Sequence, residues 1–559
     1  MTLRLAAVTI SLFTSLPAAA ESWIETSDAH TQKVLEAQAA FVPEGAAGLG
    51  LDQFDGDILD LKADLYERSQ ATNRELVAQV DAALATAEHP KVRQDLEILR
   101  RSLLDGIESA ELQHQYLLPY FNLPQTLFFG FRSLLDPRTD PARYPASLER
   151  LSKYTGQAQG YKPITDLARA RTTERLDEPG LVAPFRGEVE RDLDNAQRYI
   201  AGLDEVFASV ELDGYEEDLA LLQSQLRDYA EWVRETVLPI AREDNRLPEA
   251  IYADNLKNFG VRATPEELIE TAQFGYQEIR STMRALAEDI ATARGWEDDD
   301  LVAVMARLKQ DQISEEEILD VYRQRLEVIE EIIEREQIVT LPQRDAVIRL
   351  ATEAESSAIP APFMSPPQLI GNTGQYGEFV LVASNPTVEG DAKMDDWTHD
   401  AITWALTVHE ARPGHEMQFA SLVENGTSMA RAIYAFNSAN VEGWGLYAEA
   451  LMYEHLPPEG QLFTLMTRLQ RAVRMFLDPM VNTGQITPEE TVEFMIEQVG
   501  LSRAMAQSEA DRYAFIAPGQ ATSYYYGYMN LMRLRTEVEL ALGEAFNQKA
   551  FHDFVLAQG

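Results

Sequence analysis

The segment His409-Glu410-Ala411-Arg412-Pro413-Gly414-His415 sets two imidazoles on either side of a carboxylate. Neutral imidazole nitrogens are ligands for a divalent cation, and a carboxylate beside them can take a proton from a water that the cation polarises. On a single helix this chemistry needs histidines at i and i+4, which lie within about 40° of one another. Here they are six apart, about 240° around a regular helix and about 9 Å along it, so an unbroken helix cannot aim both rings at one ion. Pro413 lacks the N–H of the helical ladder, and Gly414 accepts unusual backbone angles. A helix widened or broken at this pair could swing His415 back to face His409. The plainer alternative is a helix ending at Arg412, with unrelated capping or core histidines.

A second segment, NSANVEGWGLYAEALMYEH (437–455), reads as a helix carrying Glu442 and Glu449, seven apart and so nearly on one face. Trp444, Leu451 and Met452 give it an apolar side. Gly443 and Gly445 weaken a helix unless close packing requires them, which argues mildly against a pair of merely solvated glutamates.

The elements that must position these groups are mostly helical. Ala401, Trp404, Ala405 and Val408 fall at i, i+3, i+4 and i+7, predicting a helix that runs up to His409-Glu410. From 338 to about 392 the helical period stops and Pro, Gly and Ser accumulate. Two β-like runs lie there, Ala346–Ala351 and Glu378–Ala383, and predict a small sheet before the histidine-bearing helix; the second is expected as an edge strand able to receive a peptide backbone. Farther upstream, Thr264, Pro265 and Glu267 form a helix start followed by an apolar stripe through Leu268, Ala272, Ile279, Met283 and Leu286. Residues 314–337 have the same helical character, with acids on a solvated face.

Composition narrows the function. The 559 residues include 48 Lys+Arg against 91 Asp+Glu, a formal net charge of −43, so contacts to nucleic acid or anionic membranes are not expected. The absence of cysteine excludes disulfides, thiolate nucleophiles and a lipid-modified cysteine. Residues 1–20 combine Arg4, an apolar run from Leu5 to Leu16 and Ala18-Ala19-Ala20, the layout of a signal peptide cleaved after Ala20. A periplasmic or secreted protein without a membrane anchor is expected, with 21–559 forming one domain of two lobes, roughly 21–337 and 338–559. No G-x-S-x-G elbow occurs, so a serine hydrolase has no support.

Taken in order, HEARPGH with a trailing Gln418, VEGWGLYAE (441–449), PGQATSYYYG (518–527) and FHDFVLAQG (551–559) resemble the bacterial domain-of-unknown-function 885 family, as does PEGAAGLGLDQFDG (43–56). The motifs also resemble those of zinc peptidases of the zincin type. That resemblance implies a mainly α, two-lobed fold like angiotensin-converting enzyme and thimet oligopeptidase, with a deep central cleft and a small sheet beside the site helix. The stretched histidine spacing is similar to that of dipeptidyl peptidase III. The resemblance implies Zn2+ as cofactor, held by His409, His415 and Glu442, with Glu410 as general base and Tyr524 on the oxyanion. Arg412, Tyr525 and Asn482 are the candidate contacts to a short peptide substrate. Asn482 stands where the family typically carries His, which leaves a non-catalytic binding protein as an alternative; a zinc amidohydrolase acting on non-standard or cell-wall peptides is another.

Overall fold

The computed structural model describes residues 18–352, 355–356, 361–372, 374–382, 395–424 and 426–559. Most of the expected signal peptide therefore lies outside the described residues; Ala18–Ala20 open the helix Ala18–Ala39. Among the described residues no helix is long and apolar enough to cross a membrane.

The fold is mainly α. The first half is a helical body whose core gathers Leu123, Leu127, Phe128 and Phe131 of the helix Leu123–Leu134 with Ile200, Leu203 and Phe207 of Arg186–Ala208 and Leu222 and Leu226 of Glu216–Trp232. The 43–56 motif works inside this body: Glu44 accepts from the Tyr154 hydroxyl and the Leu59 N–H, and Asp55 takes a two-pronged bond from Arg143.

The second half is built on α1 (Pro265–Arg294) and α2 (Glu315–Arg335), followed by the sheet and then by α3 (Asp400–Leu406), α4 (His415–Glu424), α5 (Ser438–Met452), α6 (Pro458–Asn482), α7 (Arg503–Asp511) and α8 (Ser523–Leu542). The start of α1 is the expected capping box: the Thr264 hydroxyl accepts from the Glu267 N–H while the Glu267 carboxylate accepts from the Thr264 N–H. Leu268, Ala272, Ile279 and Met283 then point into a core that runs continuously from Tyr252 to Tyr525. This core includes residues on both sides of position 337, such as Tyr322 and Phe379, so 337 does not divide two separate cores.

At its centre lies α6, buried on nearly every side. Its apolar residues pack on α1 and α3, yet it also buries Arg471, Arg474, Asp478 and Asn482. Arginine is almost never buried without a partner, so this helix concentrates polar chemistry at the middle of the molecule.

The sheet has three strands, β1 (Val347–Leu350), β2 (Phe363–Ser365) and β3 (Glu378–Leu381), in the order β1-β3-β2. β3 pairs parallel with β1, Val347 opposite Glu378, and antiparallel with β2, Phe363 opposite Val380. The expected edge strand is thus the central one. Its edges are both taken by hydrogen bonds, and its buried Phe379, Val380 and Leu381 mark it as interior; Ala383 lies outside the described residues. Among the described residues the sheet edge beside the site with no strand partner is that of β2, three residues in a Pro-rich stretch whose composition hides a strand.

Candidate metal centre

The histidine spacing is repaired in two steps. After Leu406, residues Thr407–Ala411 widen into a π-helical turn, in which each bond spans one residue more than in an α-helix. Arg412 then leaves helical geometry (φ −124°, ψ 135°), as the residue before a proline tends to, and the Arg412–Pro413 peptide is cis. Gly414 folds directly onto the carbonyl oxygens of Val408 and His409, where any Cβ would collide with backbone. The Trp444 indole N–H pins the loop to α5 by donating to the Pro413 carbonyl at 2.9 Å. His415 therefore opens α4 facing back, its ring centroid 4.7 Å from that of His409 with the rings nearly perpendicular.

The third group arrives from α5. Glu442 Oε2 lies 3.6 Å from His409 Nε2 and 3.5 Å from His415 Nε2. Tetrahedral ligands at the usual zinc distances of about 2.0–2.1 Å stand about 3.3 Å apart, so the separations suit a small divalent cation. α5 can come this close because of its glycines. Gly443 crosses Gly527 of α8 backbone to backbone, and a Cβ on Gly445 would sit 2.6 Å from Cε1 of His409.

Both imidazoles are held from behind. His409 Nδ1 lies 2.7 Å from Glu449 Oε1, whose other oxygen accepts from the Thr467 hydroxyl at 2.5 Å. His415 Nδ1 lies 3.1 Å from Gln418 Oε1. In the neutral form of each ring, with the Nδ1 proton donated to these acceptors, the Nε2 lone pair is left for the space between the rings. Glu449 and Gln418 are thus positioning residues that spacing alone does not reveal, although the sevenfold offset of Glu442 and Glu449 is the visible trace of one of them.

The electrostatics are those of a coupled cluster. Burial alone would depress the His409 imidazolium, but the Glu442 and Glu449 carboxylates beside it push it up to about 9. Burial would raise the Glu442 carboxyl, yet the two imidazoles hold it well below the usual carboxylate range. Glu410 goes the other way: burial, helped by the Glu442 carboxylate, raises it despite the histidines nearby. A carboxyl biased toward holding a proton is suited to passing one on.

A cavity of about 560 Å3 opens over His409, Glu410, His415 and Glu442 and extends to Phe363 and Met364 of β2 and to Tyr524 of α8. The Tyr524 hydroxyl accepts from Arg512 at 2.8 Å, which leaves its own proton free to donate elsewhere. Arg512 itself was not singled out by the sequence. It comes from the turn after α7 and meets Tyr524 only through tertiary packing.

The three expected substrate contacts lie elsewhere. Arg412 is buried away from the cavity, with Nε on Glu416 at 2.8 Å, Nη1 on Glu330 at 2.5 Å and Nη2 on the Arg344 carbonyl at 2.9 Å. Asn482 donates to the Asp478 carboxylate and to the carbonyls of Asp478 and Tyr513, fixing the end of α6 to the 512–516 turn. Tyr525 packs between Gly275 of α1 and Tyr528. One residue along a helix turns a side chain by about 100°, enough to take Tyr525 out of the cavity that Tyr524 lines.

Two solved structures share the whole architecture. One is a protein of Shewanella oneidensis provisionally described as a lipoprotein of unknown function, with TM-score 0.74, 18% identity, and coverage of 96% of this chain and 97% of that one. The other, from Colwellia psychrerythraea and described likewise as a lipoprotein, has TM-score 0.75 and 18% identity, with 96% of each chain covered. At this identity the likeness is one of fold. No curated protein matches the sequence. A family model covers residues 43–559, and the chain belongs to that family, the bacterial proteins of unknown function called DUF885.

Proposed function

We propose that this DUF885 protein is an exported zinc-dependent hydrolase that cleaves short peptides. The observation that carries the reading is the convergence of His409 Nε2, His415 Nε2 and a Glu442 oxygen, with every donor atom within 4.8 Å of the others and both imidazoles oriented from behind. Two neutral imidazoles and one carboxylate leave a coordination position open, the donor set of a catalytic rather than a structural zinc site. Zinc bound there would polarise a substrate carbonyl and bring the pKa of a coordinated water to about 7.

The chain's own groups do the rest. Glu410 takes the proton of the attacking water and hands it to the amine as the C–N bond breaks, leaving a carboxylic acid and an amine as products. Tyr524 donates its free proton toward the carbonyl oxygen as charge develops there. The open edge of β2 offers backbone groups to an extended peptide at the cavity wall, the part first expected of β3. Glu449 and Gln418 keep the imidazoles from turning. Asn482 is no argument for a merely binding protein, since it closes a helix end rather than facing the cavity.

Export rests on the arrangement of Arg4, the apolar run and Ala18–Ala20 at the N-terminus. The hydrolase reading is tested by Glu410→Gln. The variant is expected to retain zinc while losing nearly all cleavage of a short-peptide mixture that the wild-type chain digests in a chelator-sensitive way. Undiminished cleavage by the variant would remove Glu410 from the reaction.

A further inference from the structure

We propose that Arg471 is the recognition site for a substrate carboxylate next to the metal centre, so that the protein acts on short peptides at their free C-terminal end. This rests on the hydrolase reading and names the substrate class for the same cavity.

Arg471 is 6% exposed and lines the cavity beside Glu410 and Glu442. Among the described residues its Nη1 reaches only the Thr467 carbonyl at 3.4 Å and Gln470 Oε1 at 3.2 Å, and its Nε is buried without a hydrogen-bond partner. Among the described residues no carboxylate approaches it within ion-pairing distance. Its neighbours are satisfied: Arg474 makes a two-pronged pair with Glu509 at 2.7 and 2.6 Å, and Arg512 is spent on Gln520 and Tyr524. A buried arginine that no carboxylate pairs directly is costly, and a fold that keeps one at a cavity wall leaves its fork for a ligand. The match to that planar fork is a carboxylate held by two parallel N–H bonds.

Charge points the same way. The chain as a whole is at −43, yet the cavity sets four guanidiniums, those of Arg191, Arg471, Arg474 and Arg512, against the three carboxylates of Glu410, Glu442 and Glu509. The lining is thus far less acidic than the molecule as a whole. Distance limits which anion. Arg471 is one turn of α6 beyond Thr467, which bonds Glu449, which bonds His409. Arg471 also lines the same cavity as His409, Glu410, His415 and Glu442, so a carboxylate held there belongs to a short peptide whose amide sits at the metal centre.

The test measures affinity, not turnover. Zinc-loaded Glu410→Gln protein is titrated calorimetrically with N-acetyl-Ala-Phe as the free acid and as the carboxamide, and zinc content is determined on the same sample. The free acid is expected to bind about 30-fold more tightly than the amide. Arg471→Gln is expected to abolish the preference and Arg471→Lys to restore part of it. Equal affinity for acid and amide, binding of neither, or a preference that survives Arg471→Gln overturns the proposal. Should Arg471→Gln fail to fold, the acid–amide comparison on the intact arginine decides alone. A sample that holds no zinc refutes the hydrolase reading; one that holds zinc but does not distinguish acid from amide refutes only the carboxylate site.

Discussion

Gly445 lies directly beneath the imidazole of His409: a Cβ on this glycine would stand 2.6 Å from Cε1 and 2.8 Å from Nε2 of the ring. Real Cβ atoms do not approach that closely, so either the ring or α5 must move. Gly445→Ala is therefore expected to cost about 1–3 kcal/mol of stability and to weaken zinc binding by at least about 10-fold, read by denaturant unfolding and by competition with a chromogenic chelator. Unchanged zinc affinity would show that the ring is not held where the other two donors converge.

Glu449 lies behind His409, outside the cavity lining, and its carboxylate meets the ring at Nδ1. Glu449→Gln keeps the shape and an acceptor for the Nδ1 proton while removing the charge that makes the imidazole a better ligand. Zinc affinity is expected to fall by about 10- to 100-fold with little change in the circular dichroism spectrum. An effect confined to stability would reduce Glu449 to a packing residue.

Arg412 and Arg471 should separate cleanly. Arg412 neutralises Glu416 and Glu330 in a buried cluster, so Arg412→Gln is expected to destabilise the chain by about 3 kcal/mol, measured by urea unfolding. It should leave any preference for a free C-terminal carboxylate unchanged.

The buried Arg474–Glu509 pair makes stability fall in acid. Burial by itself would raise the Glu509 carboxyl, but Arg474, with help from Arg512, holds it at about 2 against an ordinary value of 4.5. Its folded-state pKa is below the unfolded one, so the stabilisation is fully present above about pH 4.5 and disappears as pH falls from there toward 2. The pair is expected to account for about 3 kcal/mol of that loss. Denaturation midpoints between pH 6 and pH 3 check this: Glu509→Gln should have the flatter profile, though the lower midpoint at pH 6.

Local pattern carried a good deal of this structure. The capping box at Thr264 and Glu267, the stripe ahead of His409 and the strand near Val347 each depend on residues a few positions apart, and each is present. The Pro413-Gly414 step told where the helix had to break, because the spacing of two histidines made a regular helix useless. It did not tell that the turn before the break would widen, since no residue type demands a π turn. What sequence left hidden depends on distant packing. Arg412 sits between two histidines and looks poised for substrate, but helix α2 delivers Glu330 to its guanidinium from 82 positions away. Asn482 looked like a lost catalytic group because a family pattern, not a contact, defined it. Arg471 and Arg474 share a helix three residues apart, and only the arrival of Glu509 beside one of them leaves the other unpaired.

The most direct measurement is diffraction from crystals grown with zinc, using anomalous data collected on both sides of the zinc absorption edge. One peak per chain is expected about 2.0–2.1 Å from His409 Nε2 and His415 Nε2 and about 2.0–2.2 Å from a Glu442 oxygen, with one further position open to the cavity. A map without density between those three side chains, from protein shown to be folded and exposed to the metal, would contradict the zinc centre and everything built on it.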